Sequence, residues 1–205
     1  MASGSVSSTL PPPPPAATVK PKSHMKLIAA SAVIVIVVVA VFLTYWTFLR
    51  PGGGPGSWMF KGAYADFRGQ GTMSDQGNTY NLNMSIHEEV LDFNSTHAQL
   101  LTSTSMDDGL GTPYTSNTTS WVDLTKNDYT IQGGTLTRTY DTTVTVGNLG
   151  TRNCKAYEYS VSGVNMTVYV DNAVEFPIKF SISSTSGTSF NLDLILVSTN
   201  IPGLK

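Results

Sequence analysis

His87, Glu88, Glu89, Asp92 and His97 form the densest group of side chains able to hold a divalent cation or move a proton, and Asp107-Asp108 follow shortly after. Imidazole and carboxylate are ordinary zinc ligands and ordinary groups for general acid–base work. In an extended strand, however, successive side chains point to opposite faces, so His87 and Glu89 would share one face while Glu88 takes the other. The set converges only if a bulge intervenes. A polar strand end entering a turn at Phe93-Asn94 accounts for the same residues. The chain carries no Gly-x-Ser-x-Gly elbow, His-Glu-x-x-His pair, phosphate loop or regularly spaced calcium loop. No spacing brings two acids into one cleft, as a paired-carboxylate hydrolase requires. The expectation is a non-enzymatic protein with no catalytic residue, no metal and no cofactor.

Cys154 is the only cysteine, which excludes an internal disulfide and any cysteine-based zinc cage in a monomer. Its parity with Ala156 places it on the wetter face at the start of a strand. Buried, it would be an inert thiol; exposed, it could form an intermolecular disulfide or carry a lipid or redox adduct. Four Asn-x-Ser/Thr sequons offer candidate N-glycosylation sites at Asn83, Asn94, Asn117 and Asn165. In a domain this rich in Ser and Thr, chance alone supplies about three, so position carries the weight. Asn83 falls on the polar side of its strand, and Asn94 and Asn165 lie in or beside turns.

What positions these groups begins with Leu27 to Leu49, roughly 23 residues without a charge, which as a helix would extend about 34 Å and cross a bilayer. The run Val33-Ile34-Val35-Ile36-Val37-Val38-Val39 is β-branched, but length decides for a membrane helix over a strand. Tyr45 and Trp46 suit the headgroup zone, and Arg50-Pro51 ends the helix. Lys20, Lys22 and Lys26 precede the span against Arg50 alone behind it, which puts the amino terminus in the cytoplasm. A cleaved signal peptide starting at Met25 is the competing reading, but the apolar core exceeds the usual 7 to 15 or so residues and no small-x-small site follows Phe48. The expected organisation is a disordered Pro-rich cytoplasmic tail (1–26), a transmembrane helix (27–49), a Gly/Pro stalk (50–57) and an extracytoplasmic β domain (58–205). The chain would sit in the cell membrane as a single-pass signal anchor, with the bilayer as its first partner.

A net charge of −2, with no Lys/Arg cluster beyond Lys61, argues against nucleic acid as a partner. From Trp58 onward alternation replaces helical periodicity. Tyr80, Leu82, Met84 and Ile86 share one strand face, opposite Thr79, Asn81, Asn83, Ser85 and His87. The pattern returns in Leu136, Tyr140, Val144 and Val146; in Tyr157, Tyr159 and Val161; in Met166, Val168 and Val170; in Ile178, Phe180 and Ile182; and in Phe190, Leu192, Leu194 and Leu196. Gly133-Gly134, Ser162-Gly163, Asp171-Asn172 and Ser186-Gly187 separate the runs as turn formers, so residues 154 to 198 read as a four-stranded antiparallel meander. Such short connections forbid parallel neighbours. The fold class is all-β with eight to ten strands, as an antiparallel curved sheet (half-barrel), a closed barrel or a sandwich, preceded by one transmembrane α-helix. Trp58, Phe60, Tyr64 and Phe67 open the domain as core residues of a first strand. If the sheet is curved and open, its concave apolar face could hold a lipid chain or other apolar ligand.

The segments Thr142-Thr143-Val144-Thr145-Val146-Gly147, Cys154-Lys155-Ala156-Tyr157-Glu158-Tyr159, Val168-Tyr169-Val170-Asp171 and Phe176-Pro177-Ile178-Lys179 give a rhythm of strand, glycine turn, aromatic strand and acidic turn before proline. Over about 40 residues this resembles LolA/LppX-like half-barrel exported proteins and membrane-anchored surface proteins of archaea. The resemblance implies a curved antiparallel sheet with a lipid or lipoprotein surface, although no helix here is placed to plug its concave side. The apolar amino-terminal helix joined to a β head is also similar to archaeal pilins and archaellins, but Lys26 meets Leu27 without the glycine of their processing site. Two functions follow: a tethered module that binds an apolar ligand or surface protein, and a filament subunit that assembles through its helix. The oligomeric state is open.

Overall fold

The computed structural model describes residues 58–205 apart from 76, 108, 110–112, 126–133, 162 and 185–188. The expected tail, transmembrane helix and stalk lie outside the described residues. The described residues form nine strands: β1 (Tyr64–Asp75), β2 (Asn78–Phe93), β3 (His97–Asp107), β4 (Tyr114–Asp123), β5 (Gly134–Val146), β6 (Gly150–Val161), β7 (Val164–Asp171), β8 (Pro177–Ser184) and β9 (Ser189–Thr199). The only helical segment among the described residues is a 3-10 turn at Gly147–Leu149.

All nine strands form one antiparallel sheet in the order β4-β3-β2-β1-β9-β8-β7-β6-β5. The sandwich and the closed barrel are therefore both corrected to a single open, curved sheet. The reason is topological: hairpins carry β2, β3 and β4 away from one side of β1, while the β5–β9 meander returns β9 to its other side. β4 and β5 are left as free edges, and they run in the same direction because eight antiparallel steps separate them. The expected meander is present as β6 to β9.

Alternation gives one side of this sheet to Ala65, Phe67, Leu82, Met84, Ile86, Leu100, Met166, Val168, Phe180, Leu192 and Leu194, all buried. Burying each large aliphatic or aromatic side chain there contributes about 1.5–3 kcal/mol, which makes this face the main driving force for folding. The opposite face carries Asp66, Arg68, Asn83, Ser85, His87 and Asp193. On β1, a Cβ on Gly71 would run into the Asn191 carbonyl and lie 2.9 Å from Leu192 Cα, so only glycine lets the β1 and β9 backbones approach this closely. The register shift at Asp66/Phe67 leaves Val197 as an extra residue on β9 and bends that strand.

The β5–β6 hairpin departs from the expected pattern. A bulge between Leu136 and Arg138 switches the phase of β5, pairing Leu136 with Tyr159 on the apolar side but Tyr140, Val144 and Val146 with Ala156, Arg152 and Gly150 on the other. Leu136, on an edge strand, is 37% exposed. Val146, Cys154 and Ala156 are buried whereas Thr143 and Thr145 are exposed, and the far end of β5 comes against β8 and β9. The hairpin thus folds back over the polar side of the sheet, and its Val144, Val146 and Cys154 join the domain's buried apolar cluster.

Candidate functional site

The apolar face is interrupted at one place. Glu88, only 1% exposed, stands between Ala65 on β1 and Thr102 on β3, and Thr102 Oγ1 donates to its Oε1 at 3.3 Å. Two residues along β3, Thr104 is buried as well, and its Oγ1 has no hydrogen-bond partner among the described residues. A carboxylate and two hydroxyls inside an apolar surface are costly to bury, and they give that surface a fixed polar point. Parity had correctly separated Glu88 from His87 and Glu89. The signal it left unused is that Glu88 falls in phase with Leu82, Met84, Ile86 and Val90. One end of the face is closed by aromatic rings, with Trp58 edge-on to Phe176 at 5.0 Å and Phe67 between Phe176 and Phe180 at 6.5 and 5.5 Å.

The candidate metal ligands divide between locations. His87 Nδ1 lies 2.7 Å from Asp66 Oδ1 and its Nε2 lies 3.8 Å from Glu89 Oε2, with the Tyr64 ring stacked at 6.0 Å. Asp66 could not be read from sequence, because it reaches His87 through the β1–β2 register. His97 Nδ1 meets Thr96 Oγ1 at 2.9 Å, and Asp92 Oδ1 accepts the Phe93 amide at 3.0 Å, so both serve the turn that accounted for them. Asp107 accepts the Gly109 amide at 2.8 Å, and Asp108 lies outside the described residues. Among the described residues no three His, Cys, Asp or Glu side chains converge as metal ligands.

Cys154 does share a face with Ala156, but that face is dry, which corrects the wetter placement: the β5–β6 hairpin folds over it and leaves the thiol fully buried. Its Sγ donates to the Arg152 carbonyl at 3.5 Å, and burial, helped by Asp171, pushes the thiol up to about 11. Across the β6–β7 ladder Asp171, read from sequence only as a turn former, is a buried acceptor. Its Oδ2 takes Arg152 Nε at 2.7 Å and its Oδ1 takes the amides of Ala173 and Val174 at 2.9 Å. Arg152 also donates to the Gly203 carbonyl at 2.9 Å, which ties the chain end to the hairpin. Hydrogen bonding to Asp171 raises the Arg152 pKa despite its partial burial.

All four sequon asparagines are exposed. Asn83 and Asn165 lie on the polar side of the central strands, Asn117 lies on the free edge strand β4, and Asn94 accepts hydrogen bonds from Thr96 and His97 in the β2–β3 turn.

A depression of about 740 Å³ lies on the polar side, across β3, β2, β1 and β9, with Gly147 of the hairpin tip and Pro113 at its margins.

No family model and no curated protein matches this sequence. Among solved structures the chain is similar to an outer membrane lipoprotein-sorting protein domain from Vibrio parahaemolyticus, at 10% identity and a TM-score of 0.24, over 69% of this chain and 87% of that one. It is also similar to a LolA superfamily protein from Nitrosomonas europaea, at 9% identity and a TM-score of 0.22, over 80% and 91% of the two chains. A DUF1329 family protein from Desulfovibrio piger matches at 7% identity and a TM-score of 0.21, over 70% and 88%. The LolA part of the weak, fold-level resemblance read from the sequence recurs among these structures, and at this strength it assigns neither ligand nor activity.

Proposed function

We propose that this chain is a single-pass, membrane-anchored, extracytoplasmic β module without enzymatic activity that holds an apolar, lipid-like ligand along the apolar face of its sheet. One observation supports the reading: the single curved sheet has an extended, buried apolar side, broken only at Glu88, Thr102 and Thr104, and the described residues include no second sheet and no helix longer than the turn Gly147–Leu149. A sheet hydrophobic on one side must bury that side against another layer. Within the described residues that side is already buried, with Ile86, Leu100 and Leu194 at 0–1% exposure, so an acyl chain would insert between those side chains, where Glu88 with Thr102 and Thr104 would supply the few polar contacts that orient it. The Leu27–Leu49 span and the lysines before it support the anchor, and the exposure of Asn83, Asn94, Asn117 and Asn165 is compatible with glycosylation.

The test is photocrosslinking of the full chain in nanodiscs that contain a diazirine-tagged fatty acid, with the labelled residues mapped by peptide mass spectrometry. Label on the apolar faces of β2, β3 and β9, around Ile86, Leu100 and Leu194, is expected in addition to label on 27–49. Label confined to residues 27–49 would remove the ligand reading. Intact mass of the native chain checks the anchor, because loss of the first 26 residues is incompatible with it.

A further inference from the structure

Arg68 projects from β1 on the polar side of the sheet, beside Ser85 of β2 and Ile195 of β9, and it lines the depression of about 740 Å³ described above. The acids around it are already engaged. Asp66 is held by His87 at 2.7 Å, Asp193 by Lys179 at 3.0 Å and Ser181 at 2.6 Å, and Asp107 by the Gly109 amide. Arg68 itself makes no ion pair or side-chain hydrogen bond among the described residues, and its exposed guanidinium stands in a concavity that Asp107 and Asp193 also line, Asp193 paired with Lys179 and Asp107 accepting the Gly109 amide. Around it Asn83, Ser85 and Ser105 present amide and hydroxyl donors, while Ile195 and Val197 form an apolar wall, with Val197 39% exposed. The volume falls in the range of about 300–1,000 Å³ usual for small-molecule sites, which combine a largely apolar lining with a few polar groups.

We infer that this depression is a second ligand site, separate from the apolar face, that takes a carboxylate attached to a short apolar body. The planar guanidinium fork matches a carboxylate in bidentate geometry, which an ammonium head would not satisfy. The hydroxyls of Ser85 and Ser105 can donate to the same oxygens, and the alkyl part lies along Ile195 and Val197. Asn83, a sequon residue, stands at this site, so a glycan attached there would occupy the same space.

The probe is hexanoate, titrated calorimetrically into the full chain in nanodiscs, with empty discs subtracted and hexylamine as the cation control. Saturable binding of hexanoate and none of hexylamine is expected. Arg68→Gln should weaken hexanoate at least tenfold, Arg68→Lys less, and Arg138→Gln, a charge removal on β5 away from the site, not at all. Equal hexanoate binding in wild type and Arg68→Gln would overturn the assignment, as would equal weakening by Arg68→Gln and Arg138→Gln. Absence of saturable binding by the wild-type chain made in a host without N-glycosylation, where no glycan on Asn83 can fill the site, would overturn it too. Arg68 is exposed, so its variants should fold, and unchanged thermal unfolding verifies this.

Discussion

Replacing Asp171 with alanine should be among the most damaging single changes in the domain. Its carboxylate is buried and serves three donors at once: Arg152 Nε at 2.7 Å and the amides of Ala173 and Val174 at 2.9 Å. Truncation leaves a partly buried guanidinium without its counter-charge and two turn amides without their acceptor. Breaking a buried pair from one side costs about 3–5 kcal/mol. At about 2–4 °C per kcal/mol for a domain of this size, the midpoint should fall by roughly 10–15 °C. Asp171→Asn retains an oxygen for the turn amides and should lose about 1–2 kcal/mol less. Because Arg152 also holds the Gly203 carbonyl, Arg152→Leu combined with Asp171→Asn should recover part of the loss rather than add to it. Thermal unfolding of wild type, Arg152→Leu, Asp171→Asn and the double variant, followed by near-ultraviolet circular dichroism, closes the cycle, with Asp171→Ala measured beside it. A loss under about 1 kcal/mol for Asp171→Ala, or strict additivity in the double variant, would refute the clamp.

Cys154 should resist thiol reagents in the folded chain at pH 8 and react on unfolding, as measured with a chromogenic disulfide. Its native value of about 11 lies above the ordinary 9.0, so folding favours the neutral thiol; that contribution is complete below pH 9 and lost as the pH rises through 11, at about 1.4 kcal/mol per pH unit between. Chemical denaturation from pH 8.5 to 11 should therefore cost the wild type about 2–3 kcal/mol more than Cys154→Ala, and parallel pH profiles would contradict this. Gly71→Ala should destabilise by about 1–3 kcal/mol net of the entropy gained, because the new methyl meets β9 backbone rather than a side chain that could yield. An unchanged denaturation midpoint would show that β1 and β9 do not approach as described.

How far the sequence was legible depends on what alternation can encode. A period of two separates the faces of one strand, and it did so correctly for β2, where Leu82, Met84 and Ile86 oppose Asn83, Ser85 and His87. It carries no information about which strands are neighbours. Asp66 could therefore not be assigned to His87, nor Asp171 to Arg152, before the registers were known. It also cannot survive an unmarked bulge. Leu136 and Tyr140 keep the same spacing in the sequence, yet the extra residue at Thr137 places them on opposite sides.

The same limit explains why Cys154 was placed on the right face but in the wrong solvent. Parity says which residues share a side, and only packing says whether that side is wet. On the central strands the side opposite the apolar face carries Asn83, Ser85 and Arg68 and meets water; on the β5–β6 hairpin it carries Val146, Cys154 and Ala156 and meets protein. The hairpin folds back over that side. By doing so it places Gly147 at the margin of the depression that holds Arg68, so a residue pattern that reads as a plain strand turns a flat polar surface into a walled one. The chemistry proposed for Arg68 therefore depends on the hairpin's packing, and the Arg152–Asp171 clamp that ties β6 to β7 and the chain end is what holds that packing in place.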